Sequence, residues 1–164
     1  MAEQPKLSQL QIRVSRSEKA SIQRAAKRAG MDMSSYVLSR LISGPATGFQ
    51  QCVAAAAAGK VASGLAELNS LLTRLSSFEL ELAVANAPAV IVSPFVANYV
   101  AAMVELACAR REIAVPRWTL KVQPLAEPWF ANTSAALRHY LLTSSPAPFR
   151  RRNIFIDSSL GSRV

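Results

Sequence analysis

The chain has 164 residues, 51% of them hydrophobic by the AVILMFWYC count, a formal net charge of +9 and a sequence pI near 10.4. That is enough apolar material to bury a core, and enough length for one small module and a second domain. Two cysteines far apart and without CxxC spacing, Cys52 and Cys108, and a single histidine, His139, leave too few soft ligands for a zinc site; both thiols read as buried, and no cofactor is expected.

The excess charge sits at the two ends. Residues 1–44 hold eight basic and three acidic side chains, residues 45–116 four against five, and residues 117–164 seven against two. Basic ends suit a polyanion, whose binding would then fall steeply with salt.

The first element is a lone strand. Leu10, Ile12 and Val14 alternate with Gln9, Gln11 and Arg13, so the first three share one face and the others the opposite face. A single strand leaves its backbone groups unpaired, which predicts a homodimer in which a second copy supplies the partner. A two-stranded ribbon fits the DNA major groove, where Gln pairs with adenine and Arg with guanine. Solvated residues on an ordinary edge strand are the alternative at this point. Ser15 and Glu18 have capping-box spacing, and Ile22, Ala25, Ala26 and Ala29 recur helically up to Gly30, predicting a helix from about Arg16 to Ala29. Lys19, Lys27 and Arg28 read as solubilising residues on it. Met31–Met33 forms a turn, Ser34 or Ser35 caps a second helix with apolar Val37, Leu38, Leu41 and Ile42, and Gly44-Pro45 ends it.

With the strings QIRVSRSEKASIQRAAKRAG and MSSYV, the segment Leu10 to Ile42 resembles a ribbon-helix-helix domain of the repressor and antitoxin kind. The resemblance implies an intertwined β-α-α dimer over residues 1–45. It also implies that Gln9, Gln11 and Arg13 read bases and that backbone amides near Ser34 and Ser35 hold a phosphate, with Asp32 adding repulsion close by.

Residues 46–164 read as an α-helical domain ending in a short extended tail. An Ala-rich helix starting near Phe49 carries the seam Val61, Leu65, Leu68, Leu72 and Leu75, with Gly59 and Gly64 as weak points and Ala54–Ala58 as helix filler or a joint. From Leu82 to Val104 there is no charge, but Asn86, Pro88, Pro94 and Asn98 interrupt the run and argue against a membrane span. The pattern predicts a loop over 85–92 and a buried helix from Pro94, capped by Ser93, to Arg111.

The C-terminal third carries Trp118 and Trp129 in proline-marked segments, and a helix with Leu137, Tyr140 and Leu141 after Asn132 or Thr133. It ends on Pro146–Asp157, where Phe149 stands beside Arg150, Arg151 and Arg152. Aromatic and Arg side chains supply most interface energy, although the tryptophans and Phe155 also fit core anchors. The strings PWFA, ALRHYLL and SPAPFRRRNIFID resemble C-terminal domains of regulators in bacterial toxin-antitoxin operons. This second resemblance implies a toxin, with a nucleotidyltransferase-like enzyme as the first choice, held by Trp129, Phe130, Phe149, Arg150, Arg151, Arg152, Asn153 and Phe155. Bidentate Arg contacts in an acidic or phosphate-binding cleft would serve that role. Scattered acids such as Glu79 and Glu81, and the lack of a phosphate loop or nucleophile elbow, argue against catalysis by the chain itself.

The expectation is a mainly α, homodimeric, cytoplasmic antitoxin and autorepressor that binds operator DNA and a cognate toxin. Two alternatives use the same ribbon. One is a plasmid partition or relaxosome accessory protein that hands its second half to a motor or relaxase; the other is a repressor whose Trp118 or Trp129 lines a ligand pocket.

Overall fold

The computed structural model describes residues 11–38, 44–90, 92–132 and 134–157. The chain divides into two compact units, Met1–Arg40 and Leu41–Val164. Among the described residues there are eight α-helices and one two-stranded sheet, and no helix is long and apolar enough to cross a membrane.

In the first unit, α1 spans Arg16–Arg28 and α2 Met33–Leu38. The capping box forms as its spacing predicts: the Ser15 amide donates to Glu18 Oε2 at 2.7 Å and the Glu18 amide to Ser15 Oγ at 3.3 Å. At the other end Gly30, with φ +67°, reverses the chain, and the amides of Gly30 and Met31 close on the carbonyls of Lys27 and Ala26. Gln11–Val14 are irregular and exposed in the single chain, which holds no second copy to supply the ladder that the expected ribbon needs; Gln9 and Leu10 lie outside the described residues. One expectation is corrected. The second helix is capped by Asp32, whose Oδ1 accepts from the Ser35 amide at 3.0 Å, so Ser34 and Ser35 lie inside α2. Leu41 and Ile42 fall outside the described residues.

The second unit is built around one helix. Gly44-Pro45, expected to end a helix, instead opens α3 (Gly44–Ala57), consistent with proline's tolerance in a first turn. The Ala-rich segment is two helices, not one: Gly59 at φ +93° ends α3, and α4 begins at Val61 and runs to Arg74. Gly64 lets α4 lie close against α3, since a Cβ there would stand 2.7 Å from the Ala56 amide nitrogen and 3.0 Å from the Cys52 carbonyl oxygen. Next comes α5 (Ser77–Val84), which carries a second capping box, Ser76 with Glu79. Ser93 then caps α6 (Pro94–Arg110), with proline at its first position.

Helix α6 is apolar all round and correspondingly central: Val100, Ala101, Ala102, Met103 and Val104 are consecutive and all buried. Phe49 and Val53 of α3, Leu68 and Leu72 of α4, and Leu80 and Val84 of α5 join its core. Polar side chains fasten the connections. Gln50 accepts from the Ala89 amide at 2.8 Å and donates to the Ala87 carbonyl at 3.2 Å, holding the α5–α6 loop. Arg111 donates to the carbonyls of Leu72, Thr73 and Leu75, closing the C-terminal end of α4. Trp118 Nε1 donates to the Val84 carbonyl at 2.8 Å and its ring lies 6.2 Å from that of Phe49, a core position.

After a 3-10 turn at Thr119–Lys121 come β1 (Trp129–Phe130), α7 (Ala135–Ser144), α8 (Ala147–Arg150) and β2 (Ile154–Phe155). The two strands pair in parallel, Trp129 opposite Ile154 and Phe130 opposite Phe155. The expected extended tail is therefore a helical turn and a strand folded into the core, with Ile154 fully buried.

Two outcomes are expected. Gly64→Ala destabilises the chain by about 1–3 kcal/mol, because backbone and not a flexible tip meets the added methyl; urea unfolding measures it. Bonds from the Ser15 amide and hydroxyl hold the Glu18 carboxyl below the ordinary Glu value, and the Ser76 hydroxyl and amide do the same for Glu79. Depressed folded values mean that the caps contribute fully above the ordinary Glu value and are lost as pH falls through the lowered one. NMR titration of the two carboxyls checks this, and Ser15→Ala returns Glu18 upward.

Candidate nucleic-acid interface

Four of the basic side chains of the first unit fall on one side of α1. At 100° per residue, Arg16, Arg24, Lys27 and Arg28 share an arc of about 120°, opposite the arc of Ile22, Ala25, Ala26 and Ala29. All four basic residues are exposed, as are Gln11 and Arg13 just before the helix. Lys27 and Arg28 thus belong to a basic face, while Lys19 lies outside it, beside Ala26 on the flank of the apolar arc. The predicted phosphate position is altered. The Ser35 amide is already bonded to the Asp32 carboxylate, which places a negative charge where the anion was expected. Ser34 is exposed and Ser35 half-buried. Gln9 lies outside the described residues.

The apolar arc of this unit is scarcely covered. Ala26 is its one buried hydrophobic residue among those described, while Ile12, Val14, Met31 and Met33 are each more than a third exposed. So small a core does not offset the entropy of ordering about thirty residues.

The expected partner-binding residues of the second unit are mostly occupied in the fold. Arg152 is 5% exposed, and its guanidinium meets the Glu105 carboxylate at 2.5 Å, the Thr119 carbonyl at 2.8 Å, the Asn98 side-chain oxygen at 3.2 Å and the Val122 carbonyl at 3.3 Å. Asn98 in turn donates to the carbonyls of Pro94 and Gln123. Phe149 is buried edge-on to Tyr99 with ring centroids 5.1 Å apart, and Phe155 stacks on Phe130 at 4.7 Å. Asn153 takes φ +57°, a conformation Asn tolerates, and ties its side chain to the Leu125 carbonyl at 2.6 Å. Trp129 is partly exposed beside Phe95, and Arg138 lies over the Phe130 ring. Only Arg150 and Arg151 of the arginine triplet face solvent. The expectation of an exposed arginine-aromatic tail is thus corrected for Phe149, Arg152 and Phe155, because the apolar residues around them carry the triplet into the core and Glu105 neutralises the charge that enters.

Glu105, Asn98 and Thr119 were missed as partners. Glu105 did leave a signal: it is the first charge after the uncharged run Leu82–Val104, and a carboxylate on a helix buried all round requires a cation.

Arg152→Ala leaves Glu105 buried without its cation and is expected to cost about 3–5 kcal/mol. Adding Glu105→Ala to that variant restores part of the loss, measured as a double-mutant cycle in thermal or urea unfolding.

Residues 4–76 match the model of the NikA-like family, described as mobilization protein NikA, a span that takes in α1 and α2 and runs through α3 and α4. No curated protein and no solved structure matches the chain.

Proposed function

We propose that the chain is a DNA-binding accessory subunit of a DNA-mobilization complex of the relaxosome type. The observation that carries this reading is the family match over residues 4–76. The basic face of α1 and the positive balance of residues 1–44 support it, since both favour a phosphate backbone. The match favours mobilization over the toxin-antitoxin reading, whose arginine-rich docking segment has Phe149, Arg152 and Phe155 buried in the fold.

In this proposal two copies pair through the segment around Gln9–Val14 to form a ribbon-helix-helix dimer. Pairing covers Ile12 and Val14 and supplies the ladder that one chain lacks. Gln9, Gln11 and Arg13 then lie on the outer face of the ribbon, where their amide and guanidinium groups have the donors and acceptors for base edges. The α1 cations meet the flanking phosphates and set register without reading sequence. The second unit, with its own core, serves as the handle for a partner protein such as a relaxase.

Fluorescence anisotropy with DNA from the chain's own locus tests the proposal. Tight binding with log K falling linearly in log salt is expected, together with a dimer by sedimentation. Arg13→Ala weakens binding to the cognate site by about 1–3 kcal/mol and leaves scrambled DNA nearly unaffected if the side chain reads a base. An equal loss on both makes it a phosphate contact. Absence of DNA binding at low salt overturns the reading, and a co-purifying toxin in place of a relaxase returns the chain to the antitoxin class.

A further inference from the structure

Among its described residues, the second unit carries a hollow and a ridge that no other element fills or covers. The hollow is a groove of about 680 Å³ between α4 and α6, with Val61, Leu65 and Leu72 on one wall and Phe95, Met103 and Ala107 on the other. Its lining recurs with helical spacing along nearly the full length of both helices, from Val61 to Thr73 and from Phe95 to Arg111. At 1.5 Å per residue that is a trough about 20 Å long, shaped for another helix.

The ridge is α7. Of its ten residues only Leu141 is buried, whereas Leu137 is 46% and Tyr140 49% exposed. With Ala136, these two fall within an arc of about 100°, an apolar stripe on a helix about 15 Å long. Ridge and hollow are neighbours: Trp129 and Pro146, which precede and follow α7 in the chain, both line the groove.

We propose that the α4–α6 groove receives α7 of a second copy, and that the second copy receives α7 of the first. Two features fix the occupant. A concave and a convex apolar surface side by side on one unit are self-complementary under a two-fold axis, the relation that makes an isologous interface. The first unit, with one buried hydrophobic residue among those described, fits pairing with a second copy, and a tethered copy meets the groove at a high effective concentration that a free protein does not reach. The inference rests on the homodimer reading above. Its consequence is that the second units of the two chains hold each other as a pair, independently of DNA.

The test uses two differently tagged full-length chains made together, one with Ala66→Cys in the groove wall and one with Leu137→Cys on the ridge. Both native thiols are buried. After treatment with a short bismaleimide, mass spectrometry is expected to find position 66 of one chain linked to position 137 of the other. Adding Tyr140→Glu to the ridge chain is expected to reduce that product to background without changing sedimentation, because the ribbon still joins the chains. A dimer by sedimentation with no 66–137 link, a link indifferent to Tyr140→Glu, or a link from position 66 to a co-purified protein each overturns the inference while leaving the homodimer intact. A monomer at every concentration overturns both.

Discussion

Placing one ion pair inside the second unit constrains nearly everything around it. Glu105 lies on a helix with apolar neighbours on every side, and a carboxylate there is tolerable only with a cation and several further polar contacts. Arg152 supplies the cation from 47 residues further along the chain. Its remaining donors use the carbonyls of Thr119 and Val122, so the irregular stretch between α6 and β1 is held in place by the same guanidinium. Phe149, the turn at Asn153 and the second strand of the short parallel pair all lie within three residues of Arg152, so the same stretch of chain carries them inward with it. A polar network of this kind is less a source of net stability than a device for selecting one arrangement among several greasy ones.

The two units solve the problem of small size differently. The second has a contiguous apolar core with helices on several sides of α6, whereas the first is two short helices with strong caps at both ends of α1 and very little buried between them. Caps fix where a helix begins and ends, but they do not replace a core. A contrast follows: a scaffold with a core of its own, and a small basic module whose described residues bury little.

Local signals in the sequence translated well. Ser15-x-x-Glu18, Gly30, Ser93-Pro94 and the uncharged run before Glu105 each mark a helix boundary or a buried helix within a few residues of where it lies. These features act over one turn of chain, so spacing alone reveals them. The failures share a different cause. Gly44-Pro45 has the composition of a terminator as much as of a first turn, and only packing decides between them. Asp32, Ser34 and Ser35 are all competent caps, separated by which backbone amide ends up within reach. Most of all, RRR beside aromatics looks the same whether its third member meets solvent or a glutamate 47 residues away; charge runs do not report on long-range neutralisation. On the basic face of the first unit, residue types were legible and partners were not, since a ladder between chains leaves no trace in the spacing of one chain.

The buried thiols give the second unit internal reporters. Burial pushes both Cys52 and Cys108 above the ordinary thiol value, so the reactive thiolate is disfavoured at both while the helices stay closed. Cys52 lies on α3 where α4 crosses closely at Gly64, and Cys108 lies near the end of α6. The ratio of their alkylation rates therefore separates the parting of the α3–α4 hairpin from wholesale loss of the core, and shows whether the helical pair breathes as its own foldon.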